Sequence, residues 1–107
     1  MNRIEADCRV APSHPSLRGH FPGHPIVPAV LLLDEVIAIA ERAAGSRVAG
    51  VKDAKFTLAL RPDEAAHVLC EVDGNQVSFC VSVLRDCAKR MVATGKLLLE
   101  CSERLTA

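Results

Sequence analysis

Residues 18–36 read RGHFPGHPIVPAVLLLDEV, and the order of residue types in this stretch decides the fold. Prolines and glycines surround His20 and His24 over its first half, which forces an irregular connection. From Pro28 onward the chain turns apolar and helix-forming, with Asp34 and Glu35 set inside the most hydrophobic run. Proline suits a first helical turn, where its missing N–H has no intrahelical acceptor to lose. A helix is therefore expected over residues 28–44, with Gly45 as its C-terminal cap.

Outward from this helix the pattern changes to strands. Residues 4–10 alternate and predict a first strand. Four more follow the helix: 47–60, bent near KDAK, then 66–72, 76–85 and 90–100, with DGN at 73–75 as a hairpin turn. Alternation in QVSFCVSVLR puts Val77, Phe79, Val81 and Val83 on one face, whereas Leu98 and Leu99 interrupt alternation and predict partial burial of both faces. Val30, Leu31, Leu32, Leu33, Val36, Ile37, Ile39 and Ala40 leave the helix little polar surface, so it should be enclosed. One sheet encloses a helix only by curling around it, and its open edges then seek a partner. The expected architecture is α+β: one domain over residues 1–107, an antiparallel sheet of about five strands wrapped around one central helix, completed by a dimer.

Composition excludes several functions. Half of the 107 residues are apolar, but Trp and Tyr are absent and Phe occurs three times, so Val, Leu, Ile and Ala must build the core. Thirteen basic residues balance thirteen acidic ones, which argues against nucleic acid and against an anionic membrane as partner. The aromatics on which single-stranded nucleic acids stack are missing too. Five cysteines without a C-x-x-C pair support neither a disulfide framework nor a thiolate zinc site; they read as small core residues, Cys80 partly exposed. The charged start, MNRIEADCRV, is unlike a signal peptide, and the run 26–33 is too short to span a bilayer, so a cytoplasmic location is expected. His14, His20 and His24 do not make a metal site, because Pro22 and Gly23 break any helical spacing and no carboxylate stands at ligand distance in sequence.

The stretch GHFPGHPIVPAVLLLD resembles the signature of the 3-hydroxyacyl-acyl-carrier-protein dehydratases, which have the hotdog fold. That family shows His-Phe-Pro-Gly-x-Pro-x-x-Pro-Gly-Val-Leu, with an acidic residue fourteen places after the histidine; here His20 leads to Asp34. Most of the family carries Glu there, and the branch acting on 3-hydroxydecanoyl groups carries Asp. VKDAKFTLALRPDE is similar to the family's strand leading into a Pro-containing turn. Three departures stand out. Ala29 replaces the usual glycine, Glu35 adds a second carboxylate, and the helix and strand that typically precede RIEADCRV are expected to be missing.

The resemblance implies roles. His20 removes the proton beside the thioester carbonyl, and Asp34 protonates the departing hydroxyl. Burial among Leu31, Leu33 and Ile37 is expected to favour the neutral, proton-donating carboxyl. The backbone N–H of Ala29, first free amide after Pro28, is implied as the enolate donor at the positive end of the helix. Phe21, Gly23, Pro28, Val30 and Leu33 are implied as substrate contacts. The family's sites lie at a dimer interface, so His20 of one chain should face Asp34 of the other. No cofactor is implied beyond the phosphopantetheine arm that carries the acyl group, on acyl carrier protein or as a coenzyme A thioester. Arg18, Lys89 and Arg90 are either solvated charges or docking groups for an acidic carrier. The competing readings are a hotdog thioesterase, with Asp34 activating water or attacking the carbonyl, and a non-catalytic acyl-carrier-binding module.

Overall fold

The computed structural model describes residues 2–9, 27–61 and 63–100. Its elements run β1 (Asn2–Cys8), α1 (Ala29–Ala44), β2 (Val48–Phe56), β3 (Ala66–Asp73), β4 (Gln76–Arg85) and β5 (Ala88–Leu99). The strands form one antiparallel sheet in the order β1-β3-β4-β5-β2, with α1 packed on its inner face. This is the hotdog architecture that the resemblance implied.

Period-two patterning accounts for the sheet's two sides. Val68, Cys70, Val77, Phe79, Val81 and Val83 are all buried on the inner face. Leu97 and Leu99 are buried on the inner face and Leu98 is half-buried on the outer one, so β5 keeps its alternation at this end and the expected partial burial of both faces is found. The irregularity lies earlier. Val81 pairs with Ala93 but Ser82 pairs with Met91, so Val92 is the extra residue of a bulge, and Val92 and Ala93 are both buried. β2 is shorter than the predicted strand 47–60, and its register shifts lie between Val48 and Asp53, around the first residues of KDAK. The β4–β5 turn carries no glycine; Asp86 and Cys87 both adopt positive φ there, at 52° and 61°.

The helix begins after Pro28 and ends at Gly45, whose φ of 69° is left-handed and whose N–H donates to the Glu41 carbonyl at 2.9 Å. Leu32, Val36, Ile39 and Ala40, spaced i, i+4, i+7 and i+8, form the buried face. The expectation of an enclosed helix needs correction. The sheet covers one side of α1, and on the other Val30 is 64% exposed, while Leu31, Leu33 and Ile37 are only half-buried. A five-stranded sheet of this curvature is too narrow to close around a helix. Among the described residues no helix is long and apolar enough to cross a membrane.

Gly95 marks the tightest packing. It lies directly opposite Phe79, and a Cβ at Gly95 would stand 2.7 Å from the Phe79 ring and closer still to the Asp53 carbonyl. The backbone carbonyl cannot retreat without breaking β2–β5 pairing. Gly95→Ala should therefore cost about 1–3 kcal/mol of unfolding free energy, the usual range for overpacking. Urea unfolding checks this, and a loss within experimental error would contradict it.

Candidate functional site

Asp34 sits one turn after Val30 on the exposed side of α1. Its burial among leucines, expected from the sequence, is not found in the single chain: Leu31 and Leu33 are half-buried against the core, and Asp34 itself is exposed. Glu35, one residue further around the helix, faces β1, where its charge acts on Cys8. The two adjacent carboxylates thus serve different sides of α1.

The helix start is built from the backbone. Pro28, at φ −57° and ψ 142°, precedes the first turn, and no side chain caps it. Leu31 and Leu32 donate back to the Pro28 carbonyl at 3.0 and 3.3 Å, while the N–H groups of Ala29 and Val30 have no acceptor among the described residues. Ala29 is helical, so its methyl group imposes no backbone strain where the resemblance expects glycine. One residue earlier, Val27 is buried and pairs with Leu60, donating to its carbonyl at 2.7 Å. That bridge ties the helix start to the loop 57–65.

Beside this end of the helix the sheet's inner face is uncovered. Val51 and Phe56 of β2 lie opposite the inward-facing Leu97 and Ala93, yet are 42% and 39% exposed. Among the described residues, helix α1 lies chiefly over β1 and β3 and less over β2, where Val51 and Phe56 stay partly exposed. Val30, Leu33, Pro28, Ala29 and Asp34 are thus the predicted site residues that the structure describes, all on the first turns of α1 or just before them. His20, Phe21 and Gly23 lie outside the described residues, as do His14, His24 and Arg18.

Two charged groupings escaped the sequence reading. Arg85 donates through Nε to Glu64 Oε2 and through Nη2 to Glu64 Oε1, both at 2.6 Å, and through Nη2 to the Ala59 carbonyl at 2.7 Å. This fork holds the Glu64 carboxyl below its usual range. On the outer face, His67 Nδ1 lies 3.0 Å from Asp7 Oδ1 and Nε2 lies 2.8 Å from Glu5 Oε1. Both ring nitrogens can bond carboxylates only as donors, which requires imidazolium, and Asp7, then Glu5, raises the His67 pKa. A groove of about 390 Å³, lined by Asp7, His67, Ser82, Leu84 and Lys89, adjoins this pair. It opens on the face opposite α1 and so belongs to a different region from Asp34. A register table could have found the His67 cluster; the alternating residues Glu5, Asp7 and His67 carry no signal until β1 is placed beside β3.

The cysteines divide. Cys70 is buried, and burial raises its thiol to about 11; Cys8, half-buried, reaches about 11 through burial, then Glu35 and Asp7. Cys80 is half-buried as expected, its Sγ 3.2 Å from Met91 Sδ. Cys87 is no core residue, because the positive-φ turn holds it in solvent.

Known proteins share the sequence family and the fold. The family model described as ApeI-like, ApeI dehydratase, matches residues 1–96. The 3-hydroxyacyl-[acyl-carrier-protein] dehydratase FabZ of Thermus thermophilus is 35% identical over 75 residues, covering 58% of this chain and 51% of that protein. The chain thus spans about half the length of the curated relatives it matches. The dehydratase heterocomplex ApeI:P from Xenorhabdus doucetiae shares the fold, with a TM-score of 0.77 at 22% identity over 92% of this chain and 87% of the other. An acyl-CoA hydrolase from Staphylococcus aureus, solved with coenzyme A, shares it at 0.72 and 14% identity over 94% and 66%.

His67 also sets a pH dependence. Its pKa is raised on folding, so its ion pairs stabilise the fold fully below the ordinary imidazole value of about 6.5 and lose their contribution as pH climbs through the raised value. The side chains are exposed and screened, so the contribution stays within about 1 kcal/mol. His67→Gln should flatten the decline in stability above pH 6.5, measured by urea midpoints from pH 6 to 9. An unchanged slope would contradict this.

Proposed function

The chain belongs to the ApeI-like dehydratase family, and from that premise we propose that it dehydrates a 3-hydroxyacyl group, carried as a thioester on acyl carrier protein, to the trans-2-enoyl thioester. In this reading the site forms between two copies. The second copy covers the open β2 flank and brings its His20 to the Asp34 of the first, giving two sites per homodimer. Support comes from the exposed apolar side chains Val30, Val51 and Phe56, and from Asp34 exposed one turn after Val30 on the same helix.

The chemistry follows from that placement. Neutral His20 takes the proton from C2 of the acyl chain. The electron pair left behind spreads onto the thioester oxygen, where the Ala29 N–H donates and the helix terminus favours negative charge. Collapse of the enolate forms the C2=C3 double bond and breaks the C3–O bond, and the leaving hydroxide takes the proton of Asp34 and departs as water. A covering copy would remove Asp34 from solvent, which favours the protonated carboxyl that this step needs. Phe21, Gly23, Pro28, Val30 and Leu33 line the acyl path. Chain groups alone supply the base, the acid and the enolate donor, and the phosphopantetheine arm belongs to the substrate.

The observation that carries the reading is a first-turn amide with no acceptor among the described residues and an exposed carboxylate on the next turn of the same helix. It is tested with purified protein and a 3-hydroxyacyl-carrier thioester, following enoyl absorbance. His20→Ala and Asp34→Asn should each lower turnover at least about 100-fold, as loss of a general acid or base does, with the dimer retained. Near-normal turnover in either variant would overturn the roles. Free thiol released without enoyl product would mean hydrolysis instead, and a heterocomplex in place of the homodimer would reassign the partner.

A further inference from the structure

We propose that Arg85 and Glu64 are positioning residues that set the height and direction of the helix start, and through it the Ala29 amide, by clamping the loop 57–65 to the β4–β5 hairpin; the inference rests on the proposed role of that amide. The helix start lacks a side-chain cap, so its position must come from backbone neighbours. Its one described neighbour is Leu60, which accepts the Val27 N–H immediately before Pro28. Leu60 lies in a loop, and a loop needs fixing.

Thr57 and Leu58 donate to the Val92 carbonyl at the start of this loop, and the hydrogen bonds on either side of Leu60 converge on one fork. Arg85 grips both oxygens of Glu64 and the carbonyl of Ala59, the residue before Leu60. Glu64 Oε1 also accepts the N–H of Arg61, the residue after Leu60, and the Glu64 N–H returns to the Arg61 carbonyl. Leu60 is therefore held on both sides by one ion pair, whose side chains are 17% and 16% exposed and so poorly screened. Arg85 itself ends β4, where Asp86 and Cys87 at positive φ make a rigid turn. The planar guanidinium matters more than its charge, because three acceptors in fixed directions need its fork.

Displacement of an enolate donor lowers the rate of the chemical step and leaves ground-state binding largely intact. Arg85→Met and Glu64→Gln should each lower kcat by about 10- to 100-fold with KM within about twofold, measured on the folded dimer well below its melting temperature. Arg85→Lys should recover only part, since a single ammonium cannot serve three acceptors. Amide hydrogen exchange gives a readout independent of turnover. The Val27 N–H should exchange at least about tenfold faster in both variants, with Val36 and Ile39 still protected. A structural role alone would lower the melting temperature and leave kcat per folded dimer and Val27 protection unchanged, and that result overturns the proposal. If the parent protein forms no enoyl product, the proposed function falls and Val27 exchange decides the clamp: faster exchange supports it, unchanged exchange overturns it.

Discussion

One-sided packing of α1 is the constraint from which the rest follows. Leu32, Val36, Ile39 and Ala40 engage the inner face of the sheet, chiefly over β1 and β3, and no described element covers the far side. A wider sheet would have buried Val30 and Asp34 and left a closed domain. This one leaves them exposed, as it does Val51 and Phe56 of β2, and apolar surface in water is worth burying at about 25 cal/mol per Å². The same shortage of cover that makes the single chain incomplete places a carboxylate where a second copy can shield it.

Backbone geometry then concentrates chemistry at the helix start. Pro28 removes one donor and directs the chain, and the next two amides have no acceptor among the described residues. Their position depends on Val27 and Leu60, and Leu60 in turn on the loop held by Arg85 and Glu64. The outer face follows other rules. His67 joins β1 to β3 through two carboxylates on one edge strand, a contribution to stability that lies far from Asp34.

Much of this was legible in the residues. Proline at 28 and glycine at 45 bounded the helix to within one residue, because each encodes a specific backbone requirement. Alternation identified β3 and β4, and DGN their turn. The spacing from His20 to Asp34 pointed to the family that residues 1–96 match. Other features depend on pairing and stayed hidden. The bulge at Val92 is a property of two strands, not one, and the turn at Asp86–Cys87 adopts positive φ without the glycine that would have announced it. Asp34 was expected to be buried because its neighbours in sequence are leucines. Helical rotation of about 100° per residue separates them, so Leu33 reaches the core's edge half-buried while Asp34 is exposed. The Arg85–Glu64 fork joins residues 21 positions apart and is invisible to local pattern.

The central claim is that each site draws its base and its acid from different chains. Mixing His20→Ala with Asp34→Asn protein, with subunit exchange allowed to finish, tests it directly. A random mixture is half heterodimer, and each heterodimer holds one intact site in two, so activity should return to about one quarter of the parent's from two inactive proteins. No recovery, with heterodimers demonstrably formed, would contradict a shared site.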